Sequence, residues 1–341
     1  VLIIDPATNT ADTTTITGLS SSTFKWYGGS LAPNGKIYGI PYNSTSVLII
    51  DPATNTADTT TITGLSGPNK WAGGVLAPNG KIYCIPYHST SVLIIDPATN
   101  TADTTTITGL SSSTFKWYGG SLAPNGKIYG IPYNSTSVLI IDPSTNTTDT
   151  ATISGLDSSN YKWAGGVLAP NGKIYGIPSN STSVLIIDPA TNTADTTTIT
   201  GLSGPNKWAG GVLAPNGKIY CIPYHSTSVL IIDPATNTAD TTTITGLSGN
   251  FKWYGGSLAP NGKIYGIPLN STSVLIIDPA TNTTDIATII GLSGTNKWAG
   301  GVLAPNEKIY GIPFSSTSVL QIRTGLPTLP PWMQQAYFNK F

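Results

Sequence analysis

Apolar residues along this chain fall in short runs, divided by clusters of Pro, Gly, Asn, Asp, Ser and Thr, and the same order of runs keeps returning. The stretch KWAGGVLAPNGKIYCIPYHSTSVLIIDPATNTADTTTITGL, residues 70–110, shows one full period. Residues 71–78 are small and apolar and stop at Pro-Asn-Gly-Lys, where Asn79-Gly80 supplies the positive φ that a tight hairpin demands. Residues 81–87 are β-branched and aromatic, as suits a half-buried pleated surface, and the polar link HSTS leads to a third apolar run at 92–95. Asp96-Pro97-Ala98-Thr99-Asn100-Thr101 then reverses the chain into a threonine-rich fourth run at 103–108, with Pro fixing the turn and Asn tolerating the left-handed region. Alternation with a period of two, broken by Pro or Gly about every ten residues, leaves no room for helical turns. The pattern predicts four antiparallel strands, the glycine-rich first at a crowded centre and the polar fourth at an outer edge.

The tryptophan that opens each copy recurs at Trp26, Trp71, Trp117, Trp163, Trp208, Trp253 and Trp298, seven copies spaced 45 or 46 residues apart. A period of that length, built from four short strands, is that of a propeller blade. The predicted fold is all-β: a seven-bladed β-propeller of four-stranded antiparallel blades over residues 1–323, closed by pairing of N- and C-terminal strands. The segments GGVLAPNGKIYGIP and VLIIDPATNT resemble, in the same order, the YVTN-type β-propeller repeats, which read PxGVAVSPDGKxVYVTN and then VxVIDxATNT before an outer strand. The departures are a Lys-Trp before the inner strand, Asn for Asp at the inner turn, and IYGIP or IYCIP where the name-giving tetrapeptide would lie. Kelch repeats place their Gly pair before the Trp, and WD repeats need Gly-His and Trp-Asp pairs that this chain lacks. The resemblance implies the fold and carries over no catalytic residue, since such a repeat is a structural unit put to many uses.

The chain opens in mid-blade and without Met, as a fragment of a longer array would. Residues 1–18 hold only a third and a fourth strand, so the ring must close across the termini, with residues 12–17 as the outer strand of the last blade. Two segments, 1–5 and 319–323, compete for the third place in that blade; the first is favoured because Asp5-Pro6 flows directly into the strand outside it. Residues 324–341, TGLPTLPPWMQQAYFNKF after Arg323, form a proline-rich linker and an aromatic tail, read as a terminus or packed tail ahead of a partner-binding segment.

Charge changes the picture by exclusion. With 16 basic and 16 acidic residues the chain has no surplus to neutralise phosphates, which argues against nucleic acid. No run is long enough to span a membrane as a helix. Cys84 and Cys221 occupy equivalent places three blades apart and are expected to remain unpaired, and the sequons at Asn43, Asn134, Asn146, Asn180, Asn270 and Asn282 would admit glycosylation in a secreted eukaryotic protein. A monomer at the cell surface or outside the cell is the expectation.

Two rings of lysine dominate the candidate chemistry. Lys25, Lys70, Lys116, Lys162, Lys207, Lys252 and Lys297 precede the tryptophans, while Lys36, Lys81, Lys127, Lys173, Lys218, Lys263 and Lys308 follow the inner turn on the opposite face. The first ring with its tryptophans is the candidate ligand-binding set, a cationic and aromatic rim for sugars or acidic groups. The competing structural reading makes each Trp a wedge between blades and each Lys the partner of an aspartate such as Asp51 or Asp58. Tyr27 with Ser30 stands at Trp26, and the same pair at Trp117 and Trp253, where the other four copies have Ala and Val, as at Ala72 and Val75; compensated packing is preferred over two kinds of pocket. His88 and His225 follow the cysteines by four residues, about 13 Å along a strand, too far to share a zinc ion. No metal, cofactor or catalytic residue is assigned, because the inner strands lack carboxylates and near-identical blades generate rings of one group rather than a converging set. The sequence reading is a non-enzymatic recognition module that binds glycans or another repeated surface ligand blade by blade. A protein-interaction scaffold is the alternative, ahead of a lactonase- or lyase-type enzyme.

Overall fold

The computed structural model describes residues 9–324, and these form seven four-stranded antiparallel sheets arranged as the blades of a propeller. Blades are numbered here by their tryptophans, from Trp26 in blade 1 to Trp298 in blade 7. In blade 2 the strands are Trp71–Leu76, Ile82–Pro86, Leu93–Asp96 and Thr101–Asp103, from the axis outward. No helix among the described residues is long and apolar enough to cross a membrane.

The inner hairpin turns on Gly80 alone, whose φ is 77°. Asn79, expected to share the positive φ, instead accepts from the Lys81 amide through Oδ1 and donates through Nδ2 to the Pro143 carbonyl of blade 3. The turn thus serves as a hook. Beside it, Tyr83 Oη donates to Asn146 Oδ1 at 2.6 Å, and Tyr38 to Asn100, Tyr129 to Asn192, Tyr175 to Asn237 and Tyr220 to Asn282 repeat that clasp from each blade to the next. The accepting asparagines lie in the left-handed region, Asn146 at φ 54°, which a short polar side chain tolerates.

At the axis the first glycine of each Gly-Gly pair touches its counterpart in the next blade. A Cβ placed on Gly73, whose φ is 85°, would stand 3.2 Å from Gly119 Cα, and the series closes with Gly300 against Gly28. Between the blades lies the core. Tyr38, Ile40, Val47 and Ile49 of blade 1 pack on Trp71, Ile82, Leu93 and Ile95 of blade 2, so each tryptophan is a wedge between neighbouring sheets.

Two expectations are corrected. The outer strand stops at Asp103 rather than running through residues 103–108, because the Asp103 carboxylate accepts from the Thr105 and Thr106 amides and from both hydroxyls, bending the threonines out of the ladder. In blade 7 the third place belongs to Leu320–Arg323 and not to residues 1–5. Leu320–Arg323 follows Lys308–Pro313 through one short link, so its antiparallel pairing closes the smaller loop. Thr10–Asp12 supplies the outer strand, Thr10 opposite Arg323 and Asp12 opposite Gln321, and Asn9 Oδ1 accepts from Tyr265 Oη at 2.8 Å to complete the clasp between blades 6 and 7. Residues 1–5 and the aromatic tail lie outside the described residues.

Candidate functional site

One face of the ring carries the starts of the inner strands, the Asn/His-Ser-Thr-Ser links and the loops that bring the chain in from the preceding blade. Each lysine before a tryptophan is drawn into that face. Lys70 is 3% exposed; its Nζ donates to the carbonyls of Tyr42 (3.1 Å) and Ser44 (2.9 Å) in blade 1 and of Gly67 (2.7 Å) in its own incoming loop. Lys116, Lys207, Lys252 and Lys297 repeat the three-carbonyl arrangement, Lys25 keeps two carbonyls and Lys162 the Ser159 carbonyl. Burial pushes each of the seven down to about 8, while the carbonyl oxygens provide the partners an ammonium needs. The expectation that these lysines pair with Asp51 or Asp58 is therefore corrected: the ion pairs belong to the other ring, on the opposite face, where Lys36 meets Asp51 at 3.2 Å and Lys81 meets Asp96 at 3.2 Å. The ammoniums before the tryptophans face inward between loops, out of reach of the third strand's C-terminal end.

The tryptophans are as deeply placed. Trp26, Trp71, Trp117, Trp163, Trp208, Trp253 and Trp298 are all at most 3% exposed, and each indole Nε1 donates to a serine carbonyl of its own blade, as Trp71 does to Ser91 at 2.8 Å. The Lys-Trp pairs thus form the floor of a groove rather than a rim. Above that floor in blade 2 stand Ser66 of the incoming loop, His88, Ser89 and Thr90 of the link, and Thr104 from beyond the outer strand. The equivalent grooves in blades 1, 3, 2 and 5 have volumes of about 280, 400, 470 and 460 Å³. The two largest belong to the blades with Gly-Pro in the incoming loop and histidine in the link.

His88 and His225 have a partner the sequence reading did not pair them with. Where Asn43 or Asn180 occupies the same position, its Oδ1 accepts from the next blade's Asn69 or Asn206 amide at 2.7 Å. The histidines instead meet an aromatic ring, His88 edge-on to Phe115 at 4.5 Å and His225 to Phe251 at 4.2 Å, and both Nε2 atoms are buried without a hydrogen bond. Desolvation, and then the nearby Lys116 or Lys252, lowers their pKa. Among the described residues, no three His, Cys, Asp or Glu side chains gather as metal ligands, and both cysteines are buried thiols.

The sequence reading also missed the axis of this face. Tyr27, Tyr118 and Tyr254, from blades 1, 3 and 6, meet there, with ring centroids 5.1 Å apart for Tyr27 to each of the others and 6.0 Å between Tyr118 and Tyr254. Tyr42, Tyr87, Tyr133, Tyr224 and Phe314 surround them. The alternation of Tyr-Ser with Ala-Val is thereby explained, since three phenols occupy the centre and the alanines of blades 2 and 7 are covered by their neighbours' rings. The signal lay in the variable residue after each Ile-Pro pair, which is aromatic in five of the seven blades.

Residues 123–267 match a family described as "Repeat of unknown function (DUF6923)". No curated protein matches the sequence. Among solved structures, the fold is similar to a streptogramin B lyase (TM-score 0.72, 12% identity, 92% of this chain and 96% of that one) and to virginiamycin B lyase from Staphylococcus aureus (0.71, 10%, 89% and 97%). It is also similar to the extracellular domain of the one-component system BT4673 from B. thetaiotaomicron (0.64, 13%, 91% and 42%). At such identities the likeness is one of fold, that of a β-propeller repeat protein.

Proposed function

We propose that the chain is a non-enzymatic recognition module that holds a repeated surface ligand, a glycan, in the grooves over its Lys-Trp floor. The observation that carries this reading is the recurrence of one polar groove around a single face, with hydroxyls of serine and threonine over a fixed, buried floor. Hydroxyls donate and accept with free rotation, which suits the alternating donors and acceptors of a sugar. The atoms offered are those of the loops, because the lysine ammoniums and indole N–H groups are already engaged. Repetition favours avidity: linked weak sites on a dense surface gain about 10² to 10⁴ over one site without a new contact. The likeness to the extracellular domain of BT4673 supports a place at or outside the cell surface. The YVTN-type kinship belongs to the same proposal and rests on GGVLAPNGKIYGIP and VLIIDPATNT.

Binding of labelled protein to a broad glycan array at low ionic strength tests the reading. A signal strong on dense spots, weak on sparse ones and competed by free monosaccharide is expected. An array with no competable signal at any density removes the glycan reading.

A further inference from the structure

An odd ring cannot alternate. The residues after the tryptophans are Tyr27, Ala72, Tyr118, Ala164, Ala209, Tyr254 and Ala299, so blades 4 and 5 are the one adjacent pair that both carry alanine. Blade 4 is also the one blade with a small side chain after Ile-Pro, Ser179, where the others have Tyr, Leu or Phe. Ala164, Ser179 and Ala209, each at most 3% exposed, leave a gap in the aromatic ring and line a half-open pocket of about 240 Å³. That exceeds the roughly 150 Å³ that admits benzene in a protein interior. Tyr118 and Tyr254 form part of its wall, Asn206 and Asn296 add amides, and none of the lining residues is charged. Tyr118 is only 8% exposed, and its Oη has no hydrogen-bond partner. Burial, and then the neighbouring Tyr254, raises its pKa well above the usual phenol value, so it stays protonated.

We propose that this axial pocket binds one uncharged, phenol-sized aromatic molecule, which fills the gap left by Ala164 and Ala209 and packs against the rings of Tyr118 and Tyr254. The ligand stands where a tyrosine stands in blades 1, 3 and 6, and the absence of a charged wall disfavours ions. This site is independent of the grooves, since it occurs once per ring.

Calorimetric titration with p-cresol, and with cyclohexanol as the non-aromatic control, tests the proposal. Saturable binding at one p-cresol per chain, at least tenfold tighter than cyclohexanol, is expected. The double substitution Ala209→Tyr with Val212→Ser copies Tyr254 and Ser257, fills the gap with the protein's own side chain, and is expected to lower p-cresol affinity at least tenfold in a folded ring. Should that variant not fold, Ser179→Tyr, which copies Tyr42 and Tyr224, replaces it. No saturable binding at the solubility limit of p-cresol, seven equivalents per chain, or unchanged affinity in the folded gap-filling variant would overturn it.

Discussion

Lys70 and Lys81 belong to the same blade and carry the same side chain, yet one is held by backbone carbonyls under a loop and the other meets Asp96 in solvent. The difference is which end of the strands each occupies. Aspartates divide in the same way: Asp96 faces a lysine, while Asp103 ends the outer strand by collecting threonine donors. Donors around Asp58, Asp103, Asp195 and Asp240, led by the hydroxyls of Thr61, Thr106, Thr198 and Thr243, lower each carboxyl from 3.8 to about 2. A carboxyl whose pKa is lower in the folded state stabilises it above the unfolded value and loses that contribution as pH falls through the folded one. Melting temperature should therefore drop between pH 3.8 and about 2. Replacing the four aspartates with asparagine should flatten that drop. An equal slope in the substituted protein would mean that the acid sensitivity arises elsewhere.

Each blade is held at three levels: glycine contact at the axis, a tryptophan wedge in the middle, and the Tyr-Asn clasp with its Asn hook on the opposite face. Gly210 and Gly217 separate the first of these from ordinary turn geometry, because both have φ 78°, but a Cβ on Gly210 would lie 3.1 Å from Gly255 Cα while one on Gly217 meets nothing within 4 Å. Gly217→Ala should cost about 1 kcal/mol through left-handed strain alone. Gly210→Ala adds a backbone clash and should lower the denaturation midpoint at least twice as far. Equal effects of the two substitutions in urea unfolding would show that the axial contact is not tight.

For the whole molecule, closure depends on a three-residue strand. Thr10–Asp12 covers Leu320–Arg323, in which Leu320 and Ile322 are fully buried. Deleting residues 1–12 should lower the melting temperature and cause concentration-dependent association through the opened edge, and a peptide of residues 1–18 should reverse both. A deleted protein that stays monomeric with an unchanged melting temperature would show that the ring does not rely on this closure.

The sequence by itself determined the period, the order of four strands and the places of the turns, because pleat alternation and turn residues are set within one repeat; it offered the wedge role of tryptophan only beside a ligand-binding one, and the burial of the indoles between blades decided between them. It also required the termini to meet, since neither end holds a complete blade. Only the tertiary structure chose Leu320–Arg323 over residues 1–5, because the two segments share the same apolar strand pattern and the choice rests on the length of loop each closes. It alone gave Lys70 its carbonyl partners, two of which come from a neighbouring blade. The aromatic axis was the least legible part: Tyr27, Tyr118 and Tyr254 are far apart in sequence and compete for one central space, a steric limit that no single repeat records.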